Sequence, residues 1–356
     1  MPVLIGMDEA GLGPNLGPFV VAVTVWEVPG SPGDFDFWTA FDMVLTNAPI
    51  AADTRLHVAD SKQVFQPHRG LTALERGVWA ALGLCKIDAP TFSDLCHALS
   101  KPLITSSDVS SSSKQLGLRA NQHVATQKKS LFDDSELAAA RSPTDTTITD
   151  DDRSPLPWYP NGGFPLPVES NDVNLVDSWR QACERLGVRL VAIRADVVEP
   201  LRFNRLVRHF DNKAQATSRL AMNLLKSVWH PNGDDALIVA DKHGGRNRYD
   251  ALLSETFQVP VESIAEGAEQ SIYRVGRGEL RFQPRAESHG PVALASMTAK
   301  YLRELAMHQF NDFWKARVPE LKPTQGYPVD AKRFRDDIAT EKRRLQIADE
   351  AIWRER

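Results

Sequence analysis

Two apolar, β-branched runs near the start of the chain constrain its fold more than any other feature. The first covers residues 3–7 and ends at Asp8; the second, PFVVAVTVW, covers 18–26, and the glycine- and proline-rich segment GLGPNLGP joins them. Each run has the composition and length of a buried strand, and the connection is too short to hold a crossover helix. The two strands are therefore predicted to pair antiparallel in one sheet.

Helical and strand patterns alternate through the rest of the chain, with no internal repeat. Helices are predicted at 71–100, 175–187, 213–229, 246–257 and 291–314, and strands at 188–198, 234–241 and, as two short elements, near 259–264 and 271–275. This order indicates an α/β fold in which helices flank a mixed central sheet.

Composition divides the chain into four parts. From about 104 to 170, Ser, Thr, Asp, Pro and Gly dominate, and few large apolar side chains are present to offset the entropy of ordering. We interpret this stretch as a long, partly disordered surface insertion. It separates the two portions of the α/β domain, 1–103 and 171–315, and a C-terminal helical segment, 316–356, follows.

Net charge and cysteine content exclude several classes of protein. With 42 basic and 46 acidic residues the net charge is −4, so any contact with nucleic acid must use a local patch. Cys85, Cys96 and Cys183 are too few and too scattered for a disulfide framework or a zinc knuckle, and are expected to be reduced core residues. Since no export signal or membrane-spanning run of roughly 20 residues is apparent, a cytoplasmic location without membrane contact is expected. Oligomeric state stays open, with a monomer as the default expectation.

Adjacent carboxylates, Asp8 and Glu9, come at the end of the first apolar run. Neighbours on a strand point to opposite faces, so both serve one site only if the strand ends there and the chain turns. The glycines at 11 and 13 permit such a turn. A solvated acidic turn is the alternative interpretation.

Two more carboxylates occupy comparable positions. Asp241 follows the apolar run ALIVA, at the end of a strand where α/β sheets bind ligands; its alternative role is to cap a helix beginning near 246. Glu287 precedes the long helix, where stabilisation of the helix dipole is the alternative. Carboxylates that converge at one sheet edge cannot all stay ionised without a cation, and Mg²⁺ or Mn²⁺ suits oxygen ligands. Two such ions could support phosphodiester hydrolysis.

These residues lie in segments that resemble a known family. DEAGLGPNLGP, within GMDEAGLGPNLGPFVVAV, resembles the opening motif of ribonucleases HII and HIII, a strand followed by Asp-Glu-(Ala/Val)-Gly-x-Gly and a second apolar strand. Further similar segments follow in family order: ADSKQV (59–64), KAQATSRLAM (213–222), AESHGPVALASMTAKYLRELAM (286–307) and GYPVD (326–330). The resemblance spans residue 3 to about 340 with 104–170 unmatched, and implies a divergent member with a ribonuclease H-like fold.

The resemblance also implies roles for individual residues. The catalytic, metal-binding carboxylates would be Asp8, Glu9, Asp241 and Glu287, with two Mg²⁺ or Mn²⁺ ions when substrate is bound. Substrate would be contacted by Gly11, Leu12 and Gly13 through their backbone, by Ser61 and Lys62 at phosphates, by Tyr327 at a deoxyribose, and by Lys300, which alternatively covers apolar surface. The backbone contact is to the ribose 2′-hydroxyl, the group that distinguishes RNA from DNA.

The implied function is endonucleolytic hydrolysis of the RNA strand of RNA-DNA hybrids, or of ribonucleotides embedded in duplex DNA. The chain departs from the family pattern at Leu12, where Arg, Lys or Thr is usual, after Asp241, where KHGGRNRYD follows, and at Glu304, where Asp is common. Two alternatives therefore stay open: a hybrid-binding protein of the same fold with little catalysis, and a related nuclease that cuts substrates without ribose.

Other candidate residues have a structural interpretation as well as a functional one. His243 and His289 could assist a metal site or be solvated. The run Arg274, Arg277, Arg281 and Arg285 could follow a nucleic-acid backbone or form a solvated face, and 332–356 is predicted to be a solvent-facing helix. Trp158, Tyr159 and Trp179 are expected to pack on or in the core.

Overall fold

The computed structural model describes residues 1–50, 52–101, 103, 156–160, 163–168, 173–243 and 246–355. The strands are β1 (Val3–Ala10), β2 (Phe19–Glu27), β3 (Leu45–Thr46), β4 (Leu56–His57), β5 (Arg189–Val198), β6 (Ala236–Asp241), β7 (Val261–Glu266), β8 (Ser271–Val275) and β9 (Gly278–Gln283). The helices are α1 (Phe37–Ala40), α2 (Ser61–Val64), α3 (Thr72–Leu84), α4 (Phe92–Ser100), α5 (Val173–Leu186), α6 (Pro200–Phe210), α7 (Lys213–Lys226), α8 (Asp250–Phe257), α9 (Gly290–Lys315), α10 (Pro328–Asp337), α11 (Ala339–Arg344) and α12 (Asp349–Ile352).

A seven-stranded mixed sheet forms the centre of the domain, in the order β5-β2-β1-β6-β9-β8-β7. Strand β1 pairs antiparallel with β2, as predicted, and parallel with β6, which pairs parallel with β9. The remaining pairs are antiparallel. The predicted fold class, a mixed central sheet flanked by helices, is confirmed.

Each face of the sheet is covered by its own apolar cluster. On β1, Leu4 belongs to the cluster beneath α9, whereas Ile5 and Met7 belong to the cluster beneath α6 and α7. A third cluster combines residues of α9, α10 and α12. It includes Trp314, Phe334 and Ile352. No helix in the described ranges is long and apolar enough to cross a membrane.

Helix α9 starts in close contact with β1 because β1 carries a glycine at the crossing point. A Cβ atom on Gly6 would lie only 2.2 Å from the backbone carbon of Pro291. Beside it, the Thr24 hydroxyl donates a 2.8 Å hydrogen bond to the Pro291 carbonyl. This contact fixes the first turn of α9 against the sheet, next to the carboxyl end of β1.

Three sequence-based expectations need correction, and two elements were not predicted. Strand β1 continues through Ala10 instead of ending at Asp8, so the expected turn at that point is wrong. The helix expected from 246 begins at Asp250. Helix α6 and strand β9 were not predicted, although apolar spacing on α6 and the Gly276 turn before β9 signal both. The C-terminal stretch forms short helices with buried side chains, not one solvent-facing helix.

The last part of the predicted insertion packs on the domain, while 104–155 lie outside the described residues. Trp158 is buried against the Phe310 ring, with ring centroids 5.2 Å apart. The Tyr159 hydroxyl donates a 2.7 Å hydrogen bond to Glu199. Trp179 is fully buried, so the expectation that these aromatic residues belong to the core is confirmed.

We predict that Gly6→Ala destabilises the protein by about 2–4 kcal/mol, because backbone of α9 must move to accept the new methyl group. Urea unfolding would measure the free energy of unfolding. Gly33→Ala is the matched control, since its Cβ would meet only a serine side chain at 3.7 Å. Equal stability of the two variants would contradict the close approach of α9 and β1.

Candidate metal centre

Three carboxylates from distant parts of the chain meet at one edge of the sheet. Asp8 lies on β1, Asp241 ends β6, and Glu287 lies in a short 3-10 turn before α9. One carboxylate oxygen from each lies within 4.8 Å of the other two. The parallel register pairs Met7 with Ala240, so the next residue on each strand falls side by side at this edge.

The turn that carries Glu287 is held from two sides. The turn begins after Arg285, whose φ of 56° lies in the left-handed region. It ends with a 2.9 Å hydrogen bond from the His289 N–H to the Ala286 carbonyl. On the outer side, the Trp38 indole N–H donates a 2.6 Å hydrogen bond to the Ser288 carbonyl. These contacts fix the backbone of the turn that carries Glu287.

Glu9, the fourth predicted carboxylate, is not a member of this close group. Because β1 remains extended beyond it, Glu9 points to the face opposite that of Asp8. It is only partly buried, and its charge still interacts with Asp8, Asp241 and Glu287. The structure therefore brings three of the four together and leaves the fourth as an electrostatic neighbour.

Burial and mutual repulsion make this cluster unfavourable as a set of bare anions. Burial, with repulsion from Glu287 and Asp241, raises the pKa of Asp8 to about 8, although a hydrogen bond from Ser296 opposes the shift. Burial, then the charge of Asp8, raises the pKa of Glu9 well above its ordinary value. Burial also raises the pKa values of Asp241 and Glu287.

One oxygen of this cluster has no partner. Asp241 Oδ1 is buried without a hydrogen bond to any of the described residues. The proposed helix-capping role of Asp241 is wrong, because α8 begins at Asp250 and has no side-chain cap. A buried, unpaired carboxylate oxygen beside two further carboxylates is a donor set that fits a hard divalent cation.

The first residue of α2, Ser61, is linked to the carboxylate cluster through Ser296 on α9. The hydroxyls of Ser61 and Ser296 lie 3.0 Å apart, and Ser296 in turn bonds Asp8. Lys62 is exposed, and its backbone N–H is capped by Asp60 at 3.0 Å. Desolvation would lower the pKa of Lys62, but Asp60 and the carboxylates of the cluster outweigh it and raise that pKa.

The glycine turn after β1 lies beside a solvent-exposed aromatic ring. Gly11 has φ 88°, and a Cβ on Gly13 would meet the Tyr327 ring at 3.7 Å. Tyr327 is 51% exposed, so its face is available to a ligand. Leu12 packs its side chain against the apolar cluster beneath α6 and α7.

The remaining candidates are engaged within the protein. The Lys300 ammonium pairs with Glu304 at 2.6 Å and lies 4.7 Å from the centre of the Phe65 ring, which matches its apolar-covering role. His243 is buried, not solvated as expected, and its Nδ1 lies 3.2 Å from the Ser218 hydroxyl. Burial lowers the pKa of His243 to about 4.

Most of the predicted basic run is also paired. Arg274 and Arg281 both contact Glu279, and Arg277 pairs with Asp235. Sequence reasoning missed Ser296 and two buried arginines next to the glycine turn. Arg303 packs against Gly11 and donates to the Gln325 carbonyl at 2.9 Å, and Arg354 donates to the Pro14 carbonyl. Buried arginines carry no distinctive sequence pattern. In the sequence, a serine or an arginine at these positions is equally typical of a solvent-exposed surface.

The similarities of this chain to known proteins are found among solved structures. No protein-family profile and no curated protein sequence matches this chain. Ribonuclease H2 from Pyrococcus horikoshii has 12% identity and a TM-score of 0.40, with 98% of this chain and 92% of that chain covered. Ribonuclease H3 from Aquifex aeolicus has 14% identity and a TM-score of 0.33, with 98% and 70% covered. Bst-RNase HIII in complex with Mn²⁺ has 14% identity and a TM-score of 0.35, with 99% and 65% covered. At these scores, inference about function depends on this chain's own residues.

We predict that Asp8→Asn stabilises the metal-free protein near pH 8, by on the order of 1–2 kcal/mol, because it removes a buried like charge. A carboxyl whose folded pKa is raised stabilises the fold below its unfolded pKa and loses that contribution as pH rises through about 8. The stability of the wild type should therefore fall relative to the variant between about pH 4 and 8. Chemical unfolding in EDTA across that range measures the difference, and parallel curves would contradict the predicted burial of charge.

Proposed function

We propose that this protein is a metal-dependent endoribonuclease that hydrolyses the RNA strand of RNA-DNA hybrids or ribonucleotides embedded in duplex DNA. The observation that carries the proposal is the close group of Asp8, Asp241 and Glu287, whose oxygens lie within 4.8 Å of one another. The glycine turn that follows β1, with the Tyr327 ring beside Gly13, supplies the second support. The resemblance of the surrounding segments to ribonucleases HII and HIII points to the same activity.

Asp8, Asp241 and Glu287 would hold the divalent cation, and Glu9 would supply further negative charge from the opposite face of β1. When bound, Mg²⁺ or Mn²⁺ supplies Lewis-acid stabilisation of charge that develops on the reacting phosphodiester. Ser296 orients Asp8 through its hydrogen bond. Trp38 and the turn around Glu287 hold the third carboxylate in position, so that the cluster needs little reorganisation to accept a cation.

Selection of RNA is assigned to the glycine turn. In the turn of Gly11, Leu12 and Gly13, the backbone at Gly13 is open to close approach by a sugar, because a Cβ there would meet only the Tyr327 ring, at 3.7 Å. At Gly11 the missing side chain instead leaves room for Arg303 and Pro18. Lys62 extends into solvent beside the carboxylates, where it can contact a substrate phosphate as a point charge. Tyr327 offers an exposed ring for packing on the partner strand's sugar.

The packing of Leu12 favours backbone recognition over recognition by a side chain. Its side chain lies against an apolar cluster of the protein, so loss of the polar residue usual in the family leaves the turn's peptide groups in place. If hybrid binding occurred without turnover, the protein would instead be a binding module of the same fold. Cleavage of duplexes that contain no ribose would point to a different nuclease.

We predict that the purified protein cleaves an RNA-DNA hybrid, or a DNA duplex with one ribonucleotide, when Mg²⁺ or Mn²⁺ is present. An all-DNA duplex of the same sequence should stay intact, because it lacks the 2′-hydroxyl. Comparing both ribose-containing substrates with each ion, by denaturing gel, also identifies the preferred substrate. A homogeneous preparation that leaves both intact with either ion would refute the proposal.

We predict that Asp241→Asn and Glu287→Gln each lower cleavage by roughly 100-fold or more, since the cation supplies several kcal/mol in the transition state. Both should also weaken Mn²⁺ binding, measured by calorimetry. Asp235→Asn is the control, because Asp235 is an exposed carboxylate paired with Arg277 away from the cluster. Glu9→Gln tests the fourth carboxylate: unchanged Mn²⁺ affinity and activity would remove it from the site.

A further inference from the structure

A buried arginine from the C-terminal segment contacts the glycine turn from beneath. Arg354 is 1% exposed. Its Nη2 donates to the carbonyl oxygens of Gly11 and Pro14, the latter at 2.5 Å. Its Nε and Nη1 have no hydrogen-bond partner among the described residues. Among the described residues, this guanidinium therefore donates hydrogen bonds to the two carbonyls of the turn.

Several contacts hold Arg354 in this position. Its backbone N–H donates to the Asn15 carbonyl at 2.7 Å, and the Asn15 side-chain amide donates to the Arg354 carbonyl at 3.2 Å. Its guanidinium lies over the Phe203 ring, 4.9 Å from the ring centre. The adjoining residue is tied to α6, because the Asn204 amide donates a 2.8 Å hydrogen bond to the Trp353 carbonyl.

The two carbonyl contacts fix the orientation of a neighbouring peptide group. The peptide between Gly11 and Leu12 is trans, so its C=O and N–H point in opposite directions. Since the Gly11 carbonyl points inward to Arg354, the Leu12 N–H points away from the protein interior. No acceptor for that N–H is found in the described part of the chain. A donor is thus presented on the outer side of the turn that follows β1, the strand that carries Asp8.

We propose that Arg354 is a positioning residue for ribose recognition, which turns the Leu12 N–H outward to donate to a 2′-hydroxyl. This inference rests on the proposed function. Arg354 does not touch substrate and acts through the peptide group of the turn. Glycine has wide conformational freedom, and this turn contains two glycines. The contacts from Arg354 explain how the Leu12 N–H nevertheless keeps one direction.

The test compares nucleic-acid affinity in Arg354→Met, Arg354→Lys and the control Arg208→Met. Met keeps much of the apolar stem without a donor, and Lys keeps the charge with a donor. Arg208 anchors the same segment from outside, through exposed ion pairs with Glu350 and Glu355, without touching the turn. Affinity for an RNA-DNA hybrid and for an all-DNA duplex is measured in Ca²⁺, which occupies oxygen sites while binding is followed, and Mn²⁺ affinity is measured separately.

Arg354→Met should lower hybrid affinity by about tenfold, the loss of roughly one hydrogen bond, and leave all-DNA affinity within about twofold. Mn²⁺ affinity should stay unchanged, Arg354→Lys should recover part of the loss, and Arg208→Met should resemble the wild type. Unchanged hybrid affinity, or equal loss on both duplexes, would overturn the proposal. If Arg354→Met does not fold, the hybrid-to-DNA affinity ratio of Arg354→Lys decides, with a ratio equal to the wild type counting against it.

Failure of the proposed function has a different signature. A wild type that binds the hybrid no better than the all-DNA duplex would remove ribose recognition itself. Backbone ordering by Arg354 is then measured by amide hydrogen exchange at Asn15. The Asn15 N–H donates to the Gly326 carbonyl at 2.7 Å and belongs to the peptide group whose Pro14 carbonyl accepts from Arg354. It should exchange faster in whichever folded Arg354 variant is used, and not in Arg208→Met. Equal exchange in all three proteins would reject the positioning role independently of nucleic acid.

Discussion

The close approach of α9 to β1 at Gly6 is the contact on which the candidate site depends. It sets the distance between the sheet edge that carries Asp8 and the turn that carries Glu287, since that turn immediately precedes α9. It also places Ser296, one helical turn further along, over Asp8. Close packing transmits such a constraint well, because a protein interior has little free volume to absorb a shift. Site geometry in this protein is therefore a result of backbone packing as much as of polar contacts.

The same packing holds like charges together against their repulsion. Apolar clusters on both faces of the sheet stabilise the arrangement, whereas the buried carboxylates oppose it. A divalent cation would remove that opposition, and it would bind the folded state in preference to the unfolded chain. Folding and metal binding are therefore expected to be linked in this protein, with the apolar core supplying the stability of the metal-free form.

The sequence predicted those features that depend on local pattern. Pairing of β1 with β2 followed from two apolar runs and a short connection, and the strand-end positions of Asp8 and Asp241 followed from composition. The direction of Glu9 could not be predicted, since extension of β1 to Ala10 depends on continued pairing with Val20 across the sheet. Burial of His243 depends on side chains from other elements, including the Ser218 hydroxyl on α7, which lies 3.2 Å from its Nδ1.

Long-range burial explains the other omissions. Arg354 lies in a stretch of alternating charge that usually faces solvent, and only the fold brings it beneath a turn more than three hundred residues away. Strand β9, by contrast, carried a readable signal in the glycine turn that precedes it. Its omission concealed the parallel neighbour of β6 and thus the reason why Glu287 returns to the same sheet edge.

Strand β7, one of the two edge strands of the sheet, has a consequence for how these molecules behave at high concentration. A sheet edge with unpaired N–H and C=O groups can recruit a strand from another molecule. Along β7 the side chains are largely exposed and include Glu262 and Glu266, and the pairing register shifts between Ser263 and Ala265. Negative charge and an irregular backbone make this edge a poor template for a further strand, so addition of a strand from another molecule is disfavoured along β7.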